Sequence, residues 1–193
     1  MAAQDHPICL IVPGLDNSGP GHWQTLWEQR RGDCSRVDLE CWSDPDRAIW
    51  VDRVDRAVTG SSSPVILVAH SLGCLAVVWW AQRGGDTGKV LGAILVAPPD
   101  VDRTDALPVV RRFAPAPRTA LPFPSLLVAS RNDPYADFAA LEALANRWGS
   151  KLIDAGFSGH INAGSGLGAW PDGERLLEEM LAGSNEGRRA ATG

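Results

Sequence analysis

The chain has 193 residues, of which 45% are hydrophobic and 21% charged, with a net charge of −5 and a pI near 5.3. A length close to one ordinary domain with that balance excludes wholesale disorder, a fibrous repeat and a scaffold that needs metal or disulfides to close. The acidic balance excludes a nucleic-acid binder held by a basic face.

The first apolar run, Ile8-Cys9-Leu10-Ile11-Val12, is short, continuous and stopped by Pro13-Gly14, which predicts a buried parallel strand. It is too short for a signal-peptide core or a membrane span, so no targeting segment is expected. A loop over 15–20 leads into a tryptophan-bearing helix over about 21–31. Positions 36–42 alternate Val37, Leu39 and Cys41, predicting a second strand nearer the sheet edge. Ser43 or Asp44 is expected to cap a helix with Pro45 in its first turn, and Trp50, Val54 and Val58 form its apolar stripe. A Gly-Ser-Pro turn over 60–64 precedes a second fully apolar strand, 65–69, and a helix over 72–82 follows at once.

A fourth strand over 91–97 is stopped by Pro98-Pro99, and 100–123 is proline-rich with little periodicity. A fifth strand spans 125–130, Phe138, Leu141, Leu144 and Trp148 mark a helix, and 151–154 is a short sixth strand. Pro171 opens a last helix through Leu181, and the polar tail 184–193 is expected to fray or be disordered. Strands alternating with helices predict a single α/β domain over 1–183, with about six mostly parallel strands and helices on both faces. The segment between the fourth and fifth strands is too short for a large lid domain. The four cysteines, Cys9, Cys34, Cys41 and Cys74, show no CxxC pair and no metal-ligand spacing, so a reducing cytoplasmic setting is expected. Cys9 and Cys74 lie inside apolar runs and read as small buried hydrophobes.

Ligands of open parallel sheets bind beyond the carboxyl ends of the strands. There the third strand meets its helix through Ala69-His70-Ser71-Leu72-Gly73. A serine at so tight a strand-to-helix turn needs small residues two before and two after it, which is the nucleophile-elbow arrangement with Ala69 in place of the usual glycine. The competing reading of Ser71 is a plain helix N-cap. A serine hydroxyl needs a base. His6 precedes the first strand, and His70 adjoins Ser71, so its side chain is expected to point away from it. His22 opens the first helix, and His160 follows the last strand on the same sheet edge as Ser71, which makes His160 the candidate base. Asp133, in Asn132-Asp133-Pro134 after the fifth strand, is the candidate acid. Asp100, Asp102 and Asp105 compete with it, and Asp137 reads as an N-cap. The order Ser71, Asp133, His160 is the one expected of an α/β-hydrolase. Leu72 N–H and Leu15 N–H, with Asp16 as the neighbouring alternative, are candidate oxyanion donors. His22 and Trp23 are candidate substrate contacts, and Trp27, Trp79, Trp80 and Trp170 divide between cleft and core.

Four segments together carry a resemblance: PGLDNSGPGHWQTLWE (13–28), VAHSLGC (68–74), SRNDPY (130–135) and GHINAGSGLGAWPDG (159–173). They are similar to the small serine hydrolases of the retinoblastoma-binding protein 9 family, within the α/β-hydrolase superfamily. The resemblance implies a lidless six-strand hydrolase core and the triad Ser71, Asp133 and His160. The L-x-C-x-E segment linked to the namesake's protein binding is not met here, because Leu39-Glu40-Cys41-Trp42-Ser43 lacks the acidic fifth position.

The expected activity is esterase-like: a Ser-His-Asp triad cleaving a small acyl substrate through an acyl-enzyme. The alternatives are a non-catalytic binding protein on the same fold, or a peptidase, thioesterase or perhydrolase variant of the chemistry. No cofactor or metal is expected, since Pro13-Gly14-Leu15-Asp16-Asn17 breaks any G-x-G-x-x-G and no G-x-x-x-x-G-K-[ST] occurs. The expected partner is a small acyl substrate, with neither nucleic acid nor membrane.

Overall fold

The computed structural model describes residues 6–191, with side chains through 184. Six strands form one sheet in the order β2-β1-β3-β4-β5-β6, with every neighbouring pair parallel. The strands are β1 (Ile8–Val12), β2 (Cys34–Arg36), β3 (Val65–His70), β4 (Val90–Val96), β5 (Ser125–Ala129) and β6 (Lys151–Asp154). The helices are α1 (Trp23–Arg30), α2 (Arg47–Gly60), α3 (Leu72–Gln82), α4 (Pro108–Arg111), α5 (Phe138–Trp148) and α6 (Pro171–Ala191).

The central strands read as unbroken apolar runs because both faces of the sheet are covered. Leu10, Val12, Val65, Leu67, Ala69, Ala93 and Leu95 face a layer built on α2, α3 and α5. The alternate residues Cys9, Ile11, Ile66, Val68, Ile94 and Val96 face a second layer that holds Trp23 and Trp27 of α1 and Leu177 of α6. Each fully buried aliphatic side chain here contributes roughly 1.5–3 kcal/mol. Among the described residues, no helix is long and apolar enough to cross a membrane.

The edge strand is shifted from its expected place. It occupies Cys34–Arg36 rather than 36–42, and beyond it the Val37 N–H reaches across to Ile11 O, at 2.8 Å. Val37 and Leu39 do bury, but from a loop that folds over the sheet edge, while Cys41 is exposed. The next helix begins after Asp46, whose carboxylate accepts the Ile49 N–H at 3.0 Å, so Pro45 precedes the cap. The proline-rich segment contains the four-residue α4. The last helix continues to Ala191, past its expected end at Leu181, so positions 184–191 of the expected tail are helical. Residues 192–193 of that tail, and side chains beyond 184, lie outside the described part.

The strand order reverses between β1 and β3, which opens a crevice at their carboxyl ends. The loop after β1 and the turn after β3 flank it.

Candidate active site

Ser71 joins β3 to α3 with φ 53° and ψ −127°, a conformation that side-chain-bearing residues rarely adopt. It occupies the N-cap position of α3, yet its hydroxyl makes no capping hydrogen bond. The backbone is held instead, through Ser71 N–H to Val96 O at 2.9 Å and Cys74 N–H to Ser71 O at 3.0 Å. The loop after β1 lies directly on this turn. A Cβ at Gly14 would stand 2.8 Å from Ser71 Cβ, and one at Gly73 would stand 2.4 Å from Pro13 O. Only glycine allows so close an approach, and the approach brings the Leu15 and Leu72 amides to the same corner of the site. Among the described residues neither amide has an acceptor, whereas the Asp16 N–H is committed to Trp42 O at 2.9 Å. Of the two sequence alternatives, Leu15 is therefore the free donor.

The same loop is anchored from below. The buried Gln24 side-chain amide donates to Val68 O at 3.1 Å, and its oxygen accepts the Ser18 hydroxyl at 2.6 Å. Arg36 reaches Asn17 Oδ1 at 2.7 Å and Ser18 O at 3.0 Å.

His160 sits in the loop after β6 and is 9% exposed. Its Nε2 lies 2.9 Å from Ser71 Oγ, and its Nδ1 lies 2.9 and 3.1 Å from the two carboxylate oxygens of Asp133. A carboxylate accepts only, so His160 carries its proton on Nδ1 and presents the Nε2 lone pair to the serine hydroxyl. The Asp133 side chain is fully buried, and its Oδ1 also accepts the Tyr135 N–H at 2.9 Å. Asn132 accepts the Gly159 N–H at 2.8 Å, and Ser130 Oγ accepts the Ser158 N–H at 3.0 Å, so the turn after β5 also shapes the loop that carries the base.

The competing acids are engaged elsewhere. Asp100 accepts the Asp102 N–H, Asp102 accepts the Ala116 N–H, and Asp105 pairs with Arg103. Asp137 occupies the N-cap position of α5 without a side-chain capping bond.

A cavity of about 580 Å³ opens over this group, lined among others by Leu15, His22, Ser71, Leu107, Tyr135 and His160. His22 caps α1, its Nδ1 accepting the Gln24 N–H at 3.2 Å, while its buried Nε2 has no partner among the described residues. Burial first, then the charges of Arg36 and His160, lowers the His22 pKa to about 4. The ring is therefore neutral near pH 7. Trp23 does not line the cavity. It is 1% exposed and packs against Trp27 and Trp170 at ring-centroid distances of 4.8 and 4.9 Å. Its Nε1 donates to Ile161 O at 2.8 Å, and Trp27 Nε1 donates to Ala169 O at 2.6 Å. Both indole N–H groups are thus spent on the loop that follows His160. Trp170 and Trp80 are buried as well, and Trp79 donates to Phe113 O under Arg47.

His70 also departs from expectation. Its side chain turns toward the site, with its ring 5.0 Å from that of His160 and its Nε2 2.9 Å from the His160 carbonyl oxygen. Burial first, with the charges of His160 and His22, holds its pKa well below the ordinary imidazole value. Nothing in the sequence spacing signals this contact, because it joins positions 90 apart. Among the described residues no group of three or more His, Cys, Asp or Glu side chains is placed to hold a metal ion.

The arrangement can deprotonate a hydroxyl and stabilise an oxyanion beside it. The sequence profile of the serine hydrolase family matches residues 9–179. A YdeN-like protein, assigned as a hydrolase, from Pectobacterium atrosepticum SCRI1043 is 34% identical; the match covers 93% of this chain and 92% of that one, with a TM-score of 0.83. The ydeN gene product of B. subtilis is 19% identical, with 91% and 99% covered and a TM-score of 0.73. Est1E from Butyrivibrio proteoclasticus is 16% identical, with 94% and 90% covered and a TM-score of 0.70. These two share the fold. No curated protein matches the chain.

Proposed function

Because the chain belongs to the serine hydrolase family, whose profile spans residues 9–179, we propose that it cleaves a small ester or related acyl substrate through an acyl-enzyme on Ser71. The observation that carries this reading is the 2.9 Å contact of His160 Nε2 with Ser71 Oγ while Nδ1 faces Asp133. His160 takes the hydroxyl proton as Ser71 Oγ attacks the carbonyl carbon. The Leu15 and Leu72 amides hold the oxyanion, and His160 returns the proton to the leaving oxygen. Water then enters by the reverse route and frees the acid and Ser71. Asp133 orients the imidazole and stabilises its charged form.

His22 is placed in this reading as a substrate contact, since it lines the cavity beside Leu15. Within the serine hydrolases, the segments 13–28, 68–74, 130–135 and 159–173 favour kinship with the retinoblastoma-binding protein 9 family, without its protein-binding segment. Four free cysteines favour a cytoplasmic setting. The test is hydrolysis of p-nitrophenyl butyrate by the purified chain and by Ser71→Ala. Turnover that vanishes in the variant supports the reading, and equal turnover in both refutes it. A panel of ester, thioester and aminoacyl amide substrates against the same control assigns the leaving group.

A further inference from the structure

The backbone of His160 needs a hold of its own, because its side-chain partners, Ser71 and Asp133, sit on other loops. The next residue, Ile161, has φ 48° and is fully buried. A β-branched residue in the left-handed region is strained, and such a backbone persists only where its surroundings fix it. Two buried donors fix it here. His70 Nε2 meets the His160 carbonyl at 2.9 Å, and Trp23 Nε1 meets the Ile161 carbonyl at 2.8 Å. An imidazole nitrogen facing a carbonyl oxygen must donate, so His70 carries its proton on Nε2. His70 is the last residue of β3, one position before Ser71.

We propose that His70 is a positioning residue: by donating from Nε2 to the His160 carbonyl it ties the strand that carries the nucleophile to the loop that carries the base, and so sets the approach of His160 Nε2 to Ser71 Oγ. The proposal rests on the triad reading above. Trp23 does the same for the following carbonyl, and together the two donors hold the turn at Ile161 against relaxation.

Glutamine and asparagine separate the donor from the bulk of the ring. The amide nitrogen of glutamine falls close to where imidazole Nε2 stands, and that of asparagine close to Nδ1. In the full chain, His70→Asn lowers kcat for p-nitrophenyl butyrate about a hundredfold, as a misplaced base does, with KM within about threefold. His70→Gln restores kcat to within about tenfold of the parent. Full kcat in His70→Asn, or equal loss in both variants, overturns the proposal. A long-range ¹H–¹⁵N spectrum of the unaltered chain tests it without any substitution: His70 must be the Nε2–H tautomer, and an Nδ1–H tautomer overturns it. Ser71→Ala is assayed alongside. Turnover lost there but intact in His70→Asn sinks this proposal alone, while turnover surviving in Ser71→Ala sinks the triad reading.

Discussion

Ser71 Oγ and His160 Nε2 lie 2.9 Å apart although 89 positions separate the residues in the chain. Ser71 holds a backbone conformation that a helix cap does not need, and its hydroxyl leaves the cap unmade. The local cost is borne at the point where the family's chemistry requires a nucleophile, which is where such strain is usually found.

That strain has a measurable consequence. Glycine at position 71 is free to adopt φ 53°. Ser71→Gly is expected to raise the free energy of unfolding by about 1 kcal/mol, the relief of strain less the added chain entropy, while ester turnover is lost. Urea denaturation checks it, and a destabilised Ser71→Gly contradicts the account of the elbow.

Asp133→Asn keeps an acceptor for the Tyr135 N–H but no longer favours the proton on His160 Nδ1. The fold is expected to persist while kcat falls about 10⁴-fold, the loss that a wrong tautomer produces in such triads. Steady-state kinetics beside a circular dichroism spectrum reads both. An Asp133→Asn enzyme with kcat near the parent would point to a different acid.

Gly14 packs against the turn at Ser71, beside the Leu72 amide proposed as an oxyanion donor. Its substitution by alanine sets a Cβ 2.8 Å from Ser71 Cβ and 3.2 Å from the Leu72 nitrogen, so the loop must lift. Gly14→Ala is expected to cost about 10²–10³ in kcat, as removal of one oxyanion donor does, with KM little changed. A variant with parental kcat would place the donors elsewhere.

Acid should weaken the fold through two buried rings. In the unfolded chain His22 and His70 titrate near the ordinary value of about 6.5. In the fold His22 titrates at about 4 and His70 well below the ordinary value, chiefly through burial. Between those limits the unfolded chain binds protons that the fold refuses, so stability is complete above about pH 6.5 and is lost as pH falls. His22 alone removes about 2 kcal/mol by pH 5, and His70 adds a loss of the same sign. Urea midpoints from pH 7.5 to 5 measure this, and a flat profile would show that the rings protonate without penalty.

The central sheet was readable because residues buried on both faces leave unbroken apolar runs, as in Val65–Ala69 and Ile8–Val12. The edge was not. Val37 and Leu39 are buried in a loop, and alternation alone does not distinguish a strand from a loop that folds inward over a sheet edge. Ser71, Asp133 and His160 could be singled out together because each lies in the connection that follows a strand, at the carboxyl end of the sheet. The roles of His70 and Trp23 were not, because a side-chain donor seeking a carbonyl 90 or 138 positions away leaves no periodic trace. For the same reason Trp23 read as a cleft residue, when its N–H and ring are both used beneath the loop that carries His160.

The most direct measurement of the central claim is labelling by a fluorophosphonate followed by peptide mass mapping. The parent chain is expected to gain one adduct, on the peptide that holds Ser71, and to gain none as Ser71→Ala. His160→Ala is expected to slow labelling by several orders of magnitude. An adduct on another residue, or labelling of folded Ser71→Ala at the parental rate, would contradict the assignment of Ser71 as the nucleophile.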